Sequence, residues 1–238
     1  MIISYRCWCG ISHNFTILYY FLLLLAERIS GLDNQPAEFY PEWKRRWKLV
    51  MAWIFRVFDA LRGPRLFEII WHVLTRVSPL SETEINAAST VFGTGAIRYG
   101  AVRVAEGGLL RLIFWFNKST AFTTFHTINL PGSGEHSRSH LDIVVHELTH
   151  VYQFEIVGSI YIWQALRAQR TNGYSYGGWQ GLQEDRSNGK HFRDYNREQQ
   201  GKIAQDYYSK VVARGLSAGD PIRQAYEPFI AELRNGEL

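Results

Sequence analysis

The chain has 238 residues, of which 46% are hydrophobic, 20% charged and 15% aromatic; this is enough for one well-filled core and excludes a disordered or low-complexity protein. Lys and Arg number 26 against 22 Asp and Glu, a net charge of +4, and no helix-turn-helix or finger pattern accompanies the excess, so no nucleic acid partner is expected. Both cysteines, Cys7 and Cys9, lie at the very start, which rules out a disulfide framework or a cysteine zinc site in the rest; a metal would have to be held by the eight histidines and by carboxylates.

Residues 1–31 contain an apolar run, Phe15 to Ala26, closed by Glu27 and Arg28. The run is short for a membrane span, which takes about 20 residues, and no small-x-small cleavage site follows. It reads as a signal or anchor segment, as a buried helix, or as an over-called start. Residues 32–78 read as a helical extension. Trp47, Val50, Ile54, Val57 and Leu61 recur at helical spacing over 42–62, and Gly63-Pro64 stops the pattern. Lys44, Arg45, Arg46 and Lys48 crowd the first turns of that helix, which makes residues 15–62 a candidate membrane-contact region. A second helical stretch runs from Leu66 to Val77.

The main domain is expected over 79–238. Ser81 to Glu84 has capping-box spacing and opens a helix that Gly93 closes. Ile97 to Ala105, Leu110 to Phe116 and Thr124 to Leu130 read as strands, with Gly107-Gly108 as a hairpin turn between the first two. Helices dominate after residue 139. Strands followed by helices predict an α+β domain with a small antiparallel or mixed sheet and a helical C-terminal part.

The stretch Leu141 to Glu155 contains His146-Glu147-Leu148-Thr149-His150, the H-E-x-x-H pattern. On a helix, residues four apart lie one above the other, so both imidazoles reach one Zn²⁺, while Glu147, about 100° round, lies beside the metal as a general base. Ser139 followed by Asp142 is a capping signature, and Gly158 is a C-terminal stop. His136 and His140 read as loop residues and His126 as an ordinary strand histidine. A catalytic zinc takes three protein ligands and keeps one open position. Gln153 and Ile156 stand where the metzincin pattern needs Gly and His, so the third ligand has to be found elsewhere. Glu155, Glu184 and Glu198 are the candidates. Glu155 points away from the zinc face, Glu184 lies in a stretch, Tyr174 to Gly189, that reads as a long loop, and Glu198 opens a helix, Tyr195 to Val212. Glu198 is favoured, with Gly201 one turn on leaving room for the metal helix to approach.

HELTHVYQ, followed by GSIYIWQALRAQ, a Tyr-x-Tyr-Gly-Gly loop and YNREQQGKIAQDYY, resembles the zinc-peptidase-like domains of Vgr-related proteins, relatives of metallopeptidase-like domains of bacterial contractile injection systems and Rhs-type toxins. The resemblance covers about residues 79–213; Tyr152 stands where Trp is often found. His146, Glu147 and His150 match the motif and Glu198 the acidic position in Asn-Arg-Glu-Gln-Gln. It implies a zincin-like, gluzincin-type fold, bacterial origin, partners in a secretion or injection apparatus, and a secreted, injected or membrane-tethered location rather than a purely cytoplasmic one.

Together these readings predict a zinc peptidase acting on a peptide or protein substrate, with Glu147 as general base and Tyr174, Tyr176 or His191 as the donor to the developing oxyanion. Thr124 to Leu130 is the expected edge strand for substrate pairing. Two alternatives stand beside it: a catalytically silent zincin-like structural or delivery module, and a membrane-associated protein that works through its basic, Trp-rich N-terminal helix.

Overall fold

The computed structural model describes residues 40–116, 120–170 and 173–238. The apolar run, both cysteines and the rest of the expected signal or anchor segment lie outside the described residues. The chain divides between Leu61 and Arg62 into two units. Of the first, the described part is helix α1, Tyr40–Ala60, close to the helix expected over 42–62.

The second unit runs from Arg62 to Leu238. Helix α2, Gly63–Leu74, opens with Pro64 in its first turn, where the missing N–H costs nothing. It was expected in the extension, but its polar side chains tie it to the sheet. Trp71 Nε1 donates to Asn129 Oδ1 at 2.7 Å, and Glu68 Oε1 accepts the His126 N–H at 2.7 Å. The chain then extends into β1, Arg76–Pro79, a strand the sequence reading had assigned to the end of a helix.

Helix α3, Glu82–Phe92, starts at the expected capping box: the Glu84 N–H donates to Ser81 Oγ and the Ser81 N–H to Glu84 Oε2. It ends at Gly93, whose φ of 85° suits glycine. The expected strand from Ile97 to Ala105 is only half realised, as a 3₁₀ turn at Tyr99–Ala101 and strand β2, Arg103–Glu106. Gly107 and Gly108, both at positive φ, lead into helix α4, Leu110–Phe116, rather than a hairpin. This corrects the strand expected over Leu110 to Phe116. Leu110 and Phe114, four apart, are buried together against Ala105, and that contact fixes helical geometry on a run whose composition suits a strand.

The expected strand from Thr124 to Leu130 folds as a hairpin of β3, Phe122–Thr124, and β4, Thr127–Asn129, turning at Phe125 and His126. The four strands form one mixed sheet in the order β1-β2-β4-β3, with β2 and β4 parallel and the other pairs antiparallel. β4 is therefore internal, and the edge expected at Thr124 to Leu130 belongs to β3.

Helix α5, Leu141–Val157, crosses the core. Val144, Val145, Leu148 and Val151 are fully buried on it. Its N-cap is His140, one residue after the expected Ser139, whose hydroxyl pairs instead with Ser137; Gly158, at φ 79°, ends it as expected. Helix α6, Ile160–Arg170, follows, and α7, Gly178–Ser187, occupies much of the stretch expected to be loop. Helix α8, Arg197–Tyr207, runs on through a π turn at Tyr208–Val212, and α9, Pro221–Arg234, capped by Asp220, closes the unit. α5 packs against α3, α6, α8, β3 and β4, so one helix touches both the sheet and the helical half. The result is an α+β architecture, predominantly helical among the described residues.

Candidate metal centre

Three side chains from two helices converge where α5 and α8 cross. His146 and His150 lie one turn apart on α5, and Glu198 sits in the first turn of α8; all three are buried. Glu198 Oε2 is 3.4 Å from His146 Nε2 and 3.5 Å from His150 Nε2. One ligand atom from each residue lies within 4.8 Å of the others. These residues form a buried group able to hold a metal ion, and the third-ligand expectation of Glu198 meets the two histidines in space.

The spacing fits a cation better than a set of hydrogen bonds. Metal–ligand bonds of about 2.0–2.1 Å at tetrahedral angles put ligand atoms about 3.3 Å apart. The two separations measured from Glu198 Oε2, 3.4 and 3.5 Å, are close to that, while this oxygen has no hydrogen-bond partner despite its burial. An orphaned buried carboxylate oxygen is costly unless a cation is its partner.

The approach of the two helices depends on Gly201. A Cβ there would lie 2.7 Å from His146 Cε1 and 3.0 Å from both ring nitrogens, a clash with a ring held by its own helix. The sequence expectation for this glycine is met.

Neighbouring side chains hold the ligands in place. His150 Nδ1 donates to Gln153 Oε1 at 2.9 Å, which leaves Nε2 as the ring nitrogen turned toward Glu198. Gln153 in turn donates to Gln200 Oε1 and to the Arg197 carbonyl, locking α5 to the start of α8. Glu198 Oε1 accepts from Gln169 Nε2 at 2.8 Å, which leaves Oε2 for the centre. The Tyr161 ring stacks on His150, and its hydroxyl bridges the Phe125 N–H and the Thr123 carbonyl. Burial pulls the His150 imidazole down, but the Glu198 carboxylate outweighs it and pushes His150 up to about 9. Burial would raise Glu198, yet His150 and His146 hold it well below the usual carboxylate range. The pocket's field thus favours positive charge among the three ligands.

Glu147 is buried beside this group and is not a member of it. Thr123 on β3 donates its hydroxyl to Glu147 Oε2 at 2.7 Å and to the Glu147 carbonyl at 3.2 Å. The carboxylate is thereby pinned between α5 and β3, an edge strand of the sheet.

Of the three donor candidates, the structure brings one to the centre. The Tyr174 ring lies 5.8 Å from that of His146, and burial together with the Glu198 and Glu147 carboxylates pushes its phenol well above the ordinary value, so it keeps its proton. Tyr176 lies elsewhere: its hydroxyl donates to Asp206 Oδ2 at 2.6 Å and meets Tyr226, inside the packing of α8 against α9. His191 is also placed away from the centre, with Nδ1 at 2.8 Å from Glu232 Oε1, a carboxylate that also takes Arg186. Tyr176 and His191 lie away from the centre for one reason: the chain from Tyr176 to His191 packs through α7 against α9. Glu155 does point away, to Arg98 and His126, and Glu184 is exposed on α7. His126 is a satisfied turn histidine, and neither His136 nor His140 joins the cluster.

Sequence reasoning missed Thr123, Gln153, Gln169 and Gln200. Gln153 had a usable signal, since a residue three past a helical ligand lies on its face. The others reach the centre only through the tertiary fold. No protein family, curated protein or solved structure matches the chain.

Proposed function

We propose that the protein is a zinc-dependent peptidase with a zincin-like fold. The observation that carries this reading is the buried Glu147 carboxylate, fixed by Thr123 beside the buried His146/His150/Glu198 group, which could hold a metal ion. Two imidazoles and one carboxylate are the donor set of zinc sites that keep an open position, unlike closed sites built from thiolates. When bound, zinc supplies Lewis acidity, polarising a carbonyl oxygen and making water acidic enough to attack at neutral pH. A group kept only to stabilise the fold has no use for a carboxylate held next to it.

The chain's own residues do the remaining work. Glu147 accepts a proton from the attacking water and returns it to the leaving amine. Thr123 occupies one carboxylate oxygen, so the second is the one that exchanges protons. Tyr174, held neutral beside His146, donates to the oxyanion that forms on the substrate carbonyl. An extended peptide pairs along β3, whose Thr123 joins the strand edge to the base. Bacterial origin and partners in a secretion or injection apparatus belong to this reading through the resemblance alone.

The test compares the parent chain with Glu147→Gln for zinc content and for cleavage of casein and a peptide library. Both proteins should hold about one zinc per chain, and the variant should cleave about 10²–10⁴-fold more slowly. Equal cleavage rates would sink the general-base assignment. Stoichiometric zinc with no cleavage by the parent would leave the silent zincin-like module as the better reading.

A further inference from the structure

Helix α2 is amphipathic with its apolar face turned outward. Leu66, Ile69, Ile70 and Val73 recur at the i, i+3, i+4, i+7 spacing of one helix face, and each is more than half exposed, Val73 at 82%. The polar side chains of the same helix face inward instead: Trp71 Nε1 bonds Asn129, Glu68 bonds the His126 N–H, and His72 Nε2 meets Thr127 Oγ1 at 2.8 Å. A surface helix of a protein surrounded only by water has the opposite arrangement. Helix α4 extends the feature. It meets α2 where the Leu109 N–H donates to the Leu74 carbonyl, and its Leu112, Trp115 and Phe116 are exposed, Trp115 at 75%. Exposed apolar surface of this extent marks an interaction face.

The charge around it identifies the partner. Arg65 stands exposed on α2, and Arg76 and Arg111 line one open cleft together with Trp115. None of the three arginines has an ion pair among the described residues. Glu68 is the one acidic residue of α2 and α4, and the His126 N–H already engages it. The one carboxylate in that cleft, Glu106, lies 3.9 Å from Arg138, so a second copy of the chain docked across a two-fold axis would set an excess of arginines against each other. A lipid surface answers both features: acyl chains and glycerol backbones receive the leucines, Val73 and the Trp115–Phe116 pair, and phosphates receive the arginines.

We infer that the outward faces of α2 and α4, with Arg65, Arg76 and Arg111, dock this protein on an anionic phospholipid bilayer. Among the described residues no helix is long and apolar enough to cross a membrane, and the docking is to the surface. The inference is independent of the metal centre and of the residues before 62.

The experiment sediments the full chain with vesicles of phosphatidylcholine alone or mixed with phosphatidylglycerol. Three double variants are compared with the parent: Val73→Glu with Trp115→Glu, Arg76→Glu with Arg111→Glu, and Lys44→Glu with Arg45→Glu. Thermal melts followed by circular dichroism confirm that each is folded; the first two pairs change exposed side chains only. The parent should partition at least about tenfold more onto anionic than onto neutral vesicles. Each of the first two pairs should lose at least about tenfold on anionic vesicles, and the third pair should lose less. The inference fails if the parent does not bind, if it binds both vesicle types equally, or if Val73→Glu with Trp115→Glu binds as the parent does. A parent dimer that this same pair converts to monomer in vesicle-free solution would overturn it in favour of self-association.

Discussion

At the scale of single residues, the centre depends as much on an absent side chain as on the ligands. Gly201 lies inside α8, where replacement by alanine would ordinarily stabilise the helix by about 1 kcal/mol. Here the added Cβ meets His146 Cε1 at 2.7 Å, and overpacking of a buried site costs about 1–3 kcal/mol, so the clash prevails. Gly201→Ala is expected to push α8 away from α5 and weaken zinc binding at least about tenfold, measured by competition with a chelating dye. Gly219→Ala, which meets no atom within 4 Å, serves as the control and should bind as the parent does. The residue scale is also where the sequence was most readable. Ligand spacing on a helix and the need for a small residue where helices cross are local facts. The roles of Gln169 and Thr123 are not, because each reaches the centre from an element whose path only the whole fold determines.

Elements place the ligands, and their ends matter most. Glu198 is in the first turn of α8, so its direction is set by how that helix begins. Asn196 accepts the Gln199 N–H at 2.9 Å, Gln199 Oε1 accepts the Asn196 N–H at 3.1 Å, and Asn196 Nδ2 also donates to the Gly173 carbonyl. Losing this cap should cost about 1 kcal/mol, equivalent to about 2–4 °C in melting temperature for a unit of this size. Asn196→Ala is thus expected to lower both the melting temperature and zinc affinity, whereas Asn196→Asp, which still accepts from Gln199, should recover most of each. A loss of stability with unchanged zinc affinity would show that the cap does not orient Glu198. Helix starts of this kind were legible at Ser81 and were missed at Asn196, which the expected helix simply ran past. Runs of aromatic and branched residues misled in the other direction. Leu110 to Phe116 suits a strand by composition, and a seven-residue window is too short for its i, i+4 pair to decide. The hairpin at Phe125 was hidden differently. It turns through a phenylalanine at φ 56°, a conformation for which sequence rules look to Gly or Asn, and packing of that ring against Phe67 and Phe154 holds it there.

For the second unit as a whole, the question is what joins the sheet to the helices around the centre. Part of the answer lies far from any ligand. Glu84, buried in the capping box of α3, receives Arg138 through both carboxylate oxygens, at 2.6 and 2.7 Å. The same guanidinium donates to Ser78 Oγ and to the Pro79 carbonyl on β1. One arginine from the loop before α5 therefore fastens a helix start to the first strand. Burial alone would raise the Glu84 carboxyl, but Arg138 and the Ser81 contacts hold it below its ordinary value. A carboxyl lowered on folding stabilises the fold at pH values above about 4.5, its ordinary value, and that contribution is lost as pH falls through the lowered one. Arg138→Gln strands the buried charge and should cost about 2 kcal/mol at neutral pH, less than for a fully buried pair because the arginine is partly exposed. The gap between parent and variant, read from urea unfolding at a series of pH values, should narrow once the pH drops below about 4.5, where Glu84 in the variant is already protonated and needs no cation. A gap that stayed constant into the acid range would mean that Arg138 acts through its bonds to β1 alone, and that Glu84 contributes to the capping box without depending on the charge beside it.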